Sequence, residues 1–179
     1  MNEYNQCQTQ LKQLYSAGLQ GAEPEFVAYR ILYYVYLQGN EKYSGGSGDL
    51  AYIMMGLSDA NTADAYVQHA LAIRKAIQLE NYHTFFKLYK QTPNLGKCIL
   101  EPMLDTWRFR SLQRIAKAVK PQVSVAHLAK ELGFDDIEDA IEFLRKVGGV
   151  LVPSPTASSA ASIPESGDSN NSITNIESK

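Results

Sequence analysis

The sequence predicts a mainly α fold: an array of antiparallel helix pairs, followed by a small module of helices that ends in a β-hairpin. Three observations carry this. Through roughly the first hundred positions apolar residues recur at three- and four-residue spacing, without the period-two alternation of half-buried strands. The helical stretches are short and so are the turns between them, which makes neighbours antiparallel. After about residue 100 the order becomes helix, short β-prone piece, helix, helix, strand.

Residues 2–16 read as a first helix, with Tyr4, Cys7, Leu11, Leu14 and Tyr15 on the apolar spacing and Gly18 just past its end. Residues 24–39 form a second. Pro24 suits its first turn, Glu23 and Glu25 complement the positive end of its dipole, and Gly39 stops it. Its apolar residues, from Phe26 to Leu37, cover most of the circumference, so it is expected to lie between neighbours. Tyr43 to Gly48 reads as a flexible loop, and Asp49 caps a short helix that runs to Met55. Thr62 caps a helix over 63–79 that packs through Tyr66, Val67, Ala70, Leu71, Ile73 and Ile77. After Glu80-Asn81, residues 82–91 bury Tyr82, Phe85, Phe86, Leu88 and Tyr89, and Pro93 to Gly96 break that helix. No repeat recurs at a fixed period, and the tetratricopeptide consensus is absent.

The second part begins with a helix over 102–119 carrying Leu104, Phe109, Leu112, Ile115 and Val119, with Pro102 in its first turn. Pro121 stops it, and Gln122 to Val125 is β-prone. A helix over 125–132 ends at Gly133. Asp135 or Asp136 caps another that runs to Lys146, and Gly148-Gly149 turn the chain into the strand Val150–Val152. This is the order of a winged helix with a small β-hairpin. The Ser/Pro-rich residues 153–172 hold almost no large apolar side chain and are expected to be disordered. Residues 173–179 then read in two ways: as the return strand of the wing, with 153–172 as an inserted tip, or as the end of a plain tail. The expected organisation is therefore 1–100 helical array, 101–152 winged-helix module, 153–172 disordered segment or wing insertion, and 173–179 return strand or tail.

With 179 residues, 45% of them apolar, the chain can bury a sizeable core. Seventeen Lys and Arg oppose nineteen Asp and Glu, which argues against attraction of the whole surface to nucleic acid or membrane. Cys7 and Cys98 stand far apart without a Cys-x-x-Cys partner, so a reducing compartment is expected. The polar N-terminus has no signal-peptide core, and the longest apolar stretch, Ile31 to Leu37, is too short to span a bilayer.

No nucleophile–base pair, phosphate loop or metal motif appears. His69 and His83 sit in apolar and aromatic helices and read as structural. Gly45 to Gly48 follows no strand and precedes no lysine, so it reads as a loop rather than a phosphate cradle. No cofactor and no enzymatic activity are expected. The charge feature with a functional reading is the helix 102–119 and its end, where Arg108, Arg110, Arg114, Lys117 and Lys120 face only Glu101 and Asp105. Arg110, Arg114 and Lys117 share one face, and such a stripe contacts phosphates without reading sequence; a solvated helix back, or a face for an acidic partner, is equally consistent with it. The next helix begins Asp135-Asp-Ile-Glu-Asp139, which repels phosphates, so only Arg145 and Lys146 at its end join the set. Among the aromatics, Tyr29, Tyr33, Tyr36 and Phe143 are assigned to partner contact, tyrosine suiting surfaces apolar on one side and wet on the other.

Four segments in register, Asn5–Leu11, Glu25–Tyr34, Val67–Arg74 and Asn81–Tyr89, resemble the Sac-three/GANP homology domain, in its Thp-three / leukocyte-receptor-cluster-member branch. The likeness runs from about residue 2 to 152 and returns weakly over 173–179. In that family further helices precede the counterpart of Met1, so the resemblance implies that this chain is an N-terminally truncated version or a short gene model. The resemblance implies a PCI-like helical array followed by a winged helix, and a non-catalytic role in nuclear mRNA processing, splicing or export. It implies pairing with a PCI-domain protein, a small acidic Sem/DSS-type partner, RNA or DNA bound without sequence preference, and no membrane. Tyr29-Arg30, His69, Arg74 and Tyr82-His83 match family motif positions and read as structural signatures. Arg114, Lys117 and Lys120 fall where relatives are also basic, while Pro102 and the Ser-rich insertion depart from the pattern. The expected location is nuclear, with the cytoplasm as a second site. The alternative reading is a PCI subunit of a proteasome-lid-type complex without a nucleic-acid role; the basic stretch 108–120 favours the first.

Overall fold

The structure, a computed structural model, describes residues 2–39, 46–119, 122–153 and 171–176. It is mainly helical with few strands. The chain divides into two compact units, residues 1–104 and 105–179.

In unit 1, α1 spans Asn2–Ser16, α2 Glu23–Gly39, α3 Gly46–Met55, α4 Asp59–Ala63, α5 Ala65–Gln78 and α6 Tyr82–Lys90. Helix α2 is the hub. It buries Ala28, Tyr29, Ile31, Leu32, Tyr33, Tyr34, Val35 and Leu37 and packs on α5, α3, α1 and α4, as its nearly all-round apolar pattern requires. Helix α5 answers with Val67, Ala70, Ile73 and Ala76, and α6 adds Phe85 and Phe86, whose rings meet edge-on at 5.1 Å. Tyr66 is exposed, and Tyr82, Leu88 and Tyr89 are only half-buried, so fewer residues face the core than the spacing suggested.

Three helix starts differ from expectation. Gly46-Ser47-Gly48 belongs to α3 rather than to a loop. First-turn amides need no intrahelical partner, so glycine costs less there than in mid-helix. Residues 43–45 lie outside the described residues. The single helix expected over 63–79 is two. Ser58 caps α4 by accepting from Asn61 N (3.1 Å), and Asp64 caps α5 by accepting from Tyr66 N (2.8 Å). Thr62, the expected cap, lies inside α4 and donates its hydroxyl to Ser58 O (2.9 Å). Threonine serves either as a cap or as an i−4 back-bonder, and the stronger cap formers Ser58 and Asp64 decide between them.

Helix α7 spans Gly96–Ala118, so Pro102 lies inside it rather than in its first turn. The missing N–H and the ring clash cost about 3 kcal/mol in a helix interior. Burial of Leu100, Met103 and Leu104 around it offsets this. Gly96 opens α7 against α2. A Cβ there would sit 2.6 Å from Thr92 Cγ2 and 3.2 Å from Leu32 Cδ1. Gly96→Ala is accordingly expected to lower stability by about 1–3 kcal/mol through overpacking, read as a shift in urea midpoint at constant slope. A neutral result would mean that Thr92 and Leu32 yield freely.

In unit 2 the second half of α7 is followed by β1 (Val123–Ser124), α8 (Val125–Glu131), α9 (Ile137–Lys146), β2 (Gly149–Pro153) and β3 (Asn171–Ile176). The sheet order is β1-β3-β2, both pairings antiparallel, with Val123 and Leu151 both opposite Ile173. Pro153, Asn171 and Ser172, placed by composition in the disordered stretch, are strand residues; residues 154–170 lie outside the described residues. The core is Trp107, Leu112 and Ile115 from α7 with Leu128, Leu132, Phe134, Ala140, Phe143 and Leu144. Phe109 and Val119, expected inward, are 36% and 43% exposed, because Trp107 and Ser111 occupy the inner face of α7. Helix α8 ends at Gly133 with φ +70°, a left-handed conformation open to glycine, and Phe134 N closes the turn on Ala129 O (2.9 Å). Asp136 stands at the cap position of α9 without a side-chain cap hydrogen bond.

Candidate nucleic-acid interface

Helix α7 turns Trp107, Ser111, Leu112 and Ile115 inward, which leaves Arg110, Arg114 and Lys117 exposed on its opposite side. At 1.5 Å rise per residue their backbones step about 6 Å and then about 4.5 Å along the axis. Arg145 and Lys146 are exposed at the end of α9, where cations also favour the dipole. Lys146 Nζ stands 3.8 Å from Asp105 Oδ2. Lys120 lies outside the described residues.

Arg108 is corrected by the structure. Its side chain is only 16% exposed. The guanidinium lies 3.9 Å from the Phe134 ring centroid, donates from Nε to Leu132 O (3.3 Å) and from Nη2 to Gly133 O (3.5 Å), and stands 3.8 Å from Asp105. Leu132 is the C-cap of α8 and Gly133 the residue after it, so both carbonyls stand beyond the helix ladder, where an arginine satisfies them well. The sequence could not separate Arg108 from Arg110, because the direction of each depends on which face of α7 is buried.

The aromatics assigned to partner contact are mostly interior. Tyr29 and Tyr33 are buried, Tyr33 against Tyr4 (4.8 Å) and Tyr34 (5.6 Å). Tyr29 Oη donates to Glu25 Oε1 (2.6 Å) and accepts from Leu95 N (3.1 Å), while Asn94 Nδ2 donates to the same carboxylate (2.7 Å). These bonds tie α2 to the turn before α7 and hold Glu25 below the usual carboxylate pKa. Phe143 is buried 5.5 Å from Phe134. Tyr36 is half-buried. Burial of Tyr29, Tyr33 and Phe143 follows from their places on the inner faces of α2 and α9.

His69 is a packed residue. Thr92 Oγ1 donates its proton to Leu88 O (3.0 Å), so toward His69 Nε2, at 3.1 Å, it accepts, and Nε2 carries the ring hydrogen. Burial lowers the His69 pKa from 6.5, opposed by the hydrogen bond toward Leu88. A depressed folded-state pKa favours the neutral ring, so this stability is complete above the unfolded value and lost as pH falls through the folded one. His69→Gln is expected to flatten the fall in urea midpoint below about pH 6.5 relative to the parent chain; an identical slope would remove His69 from the acid response.

Sequence reading also missed an open groove of about 80 Å³ between α1, α2 and the end of α3, lined by Leu11, Tyr15, Phe26, Arg30 and Leu57 among others. Such a concavity joins residues distant in sequence and leaves no periodic trace. Among the described residues no three His, Cys, Asp or Glu side chains group to hold a metal ion, and no helix is long and apolar enough to cross a membrane.

These features define a mainly helical protein with a cationic stripe, Arg110, Arg114 and Lys117, exposed on one helix. A model of the SAC3/GANP family matches residues 1–151. The chain belongs to that family. It is 40% identical over 142 residues to a leukocyte receptor cluster member 8 homolog of Xenopus laevis, covering 79% of this chain and 17% of that protein. It is 34% identical over 150 residues to a THP3 homolog of Schizosaccharomyces pombe (84% and 36%) and 32% identical over 163 residues to SAC3 family protein A of Arabidopsis thaliana (84% and 16%). It thus spans between about a sixth and about a third of the length of these relatives. The four segments that carried the resemblance fall on α1, α2, α5 and α6.

Proposed function

We propose that this chain is part of a non-catalytic scaffold in nuclear mRNA metabolism, in processing, splicing or export coupled to transcription. It binds RNA or DNA without sequence preference while paired with a PCI-domain protein and a small acidic subunit. Family membership supports the setting. The observation that carries the nucleic-acid part is the exposed Arg110–Arg114–Lys117 stripe on α7. The packed helices of unit 1 support a PCI-like reading, and the order helix, strand, helix, helix, strand, strand in unit 2 supports a winged helix.

The test is an anisotropy titration of a labelled single-stranded RNA over a salt series. Arg110→Gln, Arg114→Gln and Lys117→Gln together are expected to reduce the slope of log affinity against log salt by about 2, at about 0.7 per lost phosphate contact. An unchanged slope and affinity at low salt would sink the assignment. Affinity capture from nuclear extract, with and without nuclease, separates the settings. Recovery of a PCI subunit with a small acidic protein and RNA-processing factors supports this reading, and recovery of proteasome-lid subunits overturns it.

A further inference from the structure

We infer that α6, in unit 1, carries a second phosphate-contacting surface for single-stranded RNA. It extends the α7 reading but stands on different residues. Helix α6 turns Phe85 and Phe86 into the core and holds Tyr82, Leu88 and Tyr89 at its margin. This leaves His83, Lys87 and Lys90 exposed, at the same i, i+4, i+7 spacing as Arg110, Arg114 and Lys117. One helix face therefore presents a row about 10 Å long. Lys97, at the start of α7, extends the cationic surface, its ammonium 5.9 Å from the Tyr89 ring centroid.

Between Glu80 and Glu101, residues Asn81 to Leu100 hold three lysines and one histidine and no Asp or Glu, in a chain that carries more acids than bases overall. Glu25 is held to the adjoining turn through Asn94, and its carboxylate is already bonded by Asn94 and Tyr29. Lysines in a last turn do complement the helix dipole. That role is local to one turn and does not account for an acid-free stretch reaching into the next helix. Half-buried Tyr82 and Tyr89 flank the lysines, with Lys97 over the Tyr89 ring, and aromatic rings beside cations suit the bases of a single strand better than a carboxylate peptide.

The experiment uses the full chain, a labelled single-stranded RNA of about 20 nucleotides, a size covering one or two binding footprints, and a salt series. Lys87→Gln with Lys90→Gln is expected to reduce the salt slope by about 1.4, two contacts at about 0.7 each. Combined with the α7 substitutions, the losses should add. If the α7 variant loses affinity and the α6 variant does not, the α6 surface is overturned and the α7 reading stands. If only the α6 variant loses affinity, the α6 surface stands and the α7 reading falls. If neither does, both fall. Tighter α6-dependent binding of poly-glutamate than of RNA would overturn the proposal in favour of an acidic protein. Photo-crosslinking of thiouridine-containing RNA to the unsubstituted chain guards against misfolded variants: adducts on the peptide spanning 82–97 support the surface, and adducts confined to unit 2 overturn it.

Discussion

A Phe85→Ala chain is expected to lose about 3–5 kcal/mol of stability, the usual result of emptying a fully enclosed phenylalanine site. Phe85 is 0% exposed and meets Phe86 edge-on, and α6 packs on α5, which packs on α2. A cavity at this point removes contacts from the layer that holds the hub helix. The collapse needed to fill it is opposed by Phe86, itself 2% exposed and close-packed like other interior side chains. Urea unfolding followed by far-ultraviolet circular dichroism reads the loss. Single-tryptophan fluorescence adds a second view, because Trp107 belongs to unit 2. A shift in both signals would mean that the units unfold together, and a shift in the dichroism alone that they unfold separately. A loss below about 1 kcal/mol would mean that the site closes around the smaller side chain.

Arg108→Ala should cost unit 2 about 2–4 kcal/mol, from charged hydrogen bonds worth about 1.5–3 together with a desolvated cation–ring contact. The guanidinium bridges α7, the end of α8 and the Phe134 ring, and Phe134 in turn packs on Phe143 of α9. Removing it leaves the Leu132 and Gly133 carbonyls without this donor. Trp107 fluorescence is the natural readout. Arg108→Lys discriminates the cause, because an ammonium keeps the charge and loses the planar fork. Near-parental stability for Arg108→Lys would make charge sufficient, and near-Ala behaviour would make the fork essential. Unchanged stability for Arg108→Ala would dismiss the bridge altogether.

The helical elements were legible because their signals are local. Pro24, Gly39 and Gly133 mark boundaries by backbone preference, Asn81 by capping α6 with its side chain, and the all-round apolar surface of α2 announced its central position. The failures share one cause, competition that local signals cannot resolve. Thr62 is a good cap, but Ser58 and Asp64 are better placed, and a sequence window does not show which wins. Pro102 reads as a helix start by its own chemistry, yet burial of Leu100, Met103 and Leu104 carries the helix past it. Of the candidate site, the spacing of Arg110, Arg114 and Lys117 was visible as a periodicity. The inward turn of Arg108 was not, because it depends on Phe134, twenty-six positions away. Tyr29 and Tyr33 went to the core for the same reason: tyrosine suits both interior and interface, and only the tertiary arrangement decides.

The strand order β1-β3-β2 has a consequence in time. Of the three described strands the middle one comes last in the sequence, so β1 and β2 lack this partner until β3 is made. Fifty positions separate Val123 from its partner Ile173. At about 5–20 residues per second, the first strand waits roughly 3–10 seconds on the ribosome for its neighbour. Through that interval Val123 has no strand to pair with, Leu151 joins it for the last twenty-two residues, and any exposed chain of similar pattern competes for the gap between them. Unit 1 and the helices of unit 2 have no such wait, so the late sheet is the window in which this protein is most open to mispairing and to chaperones.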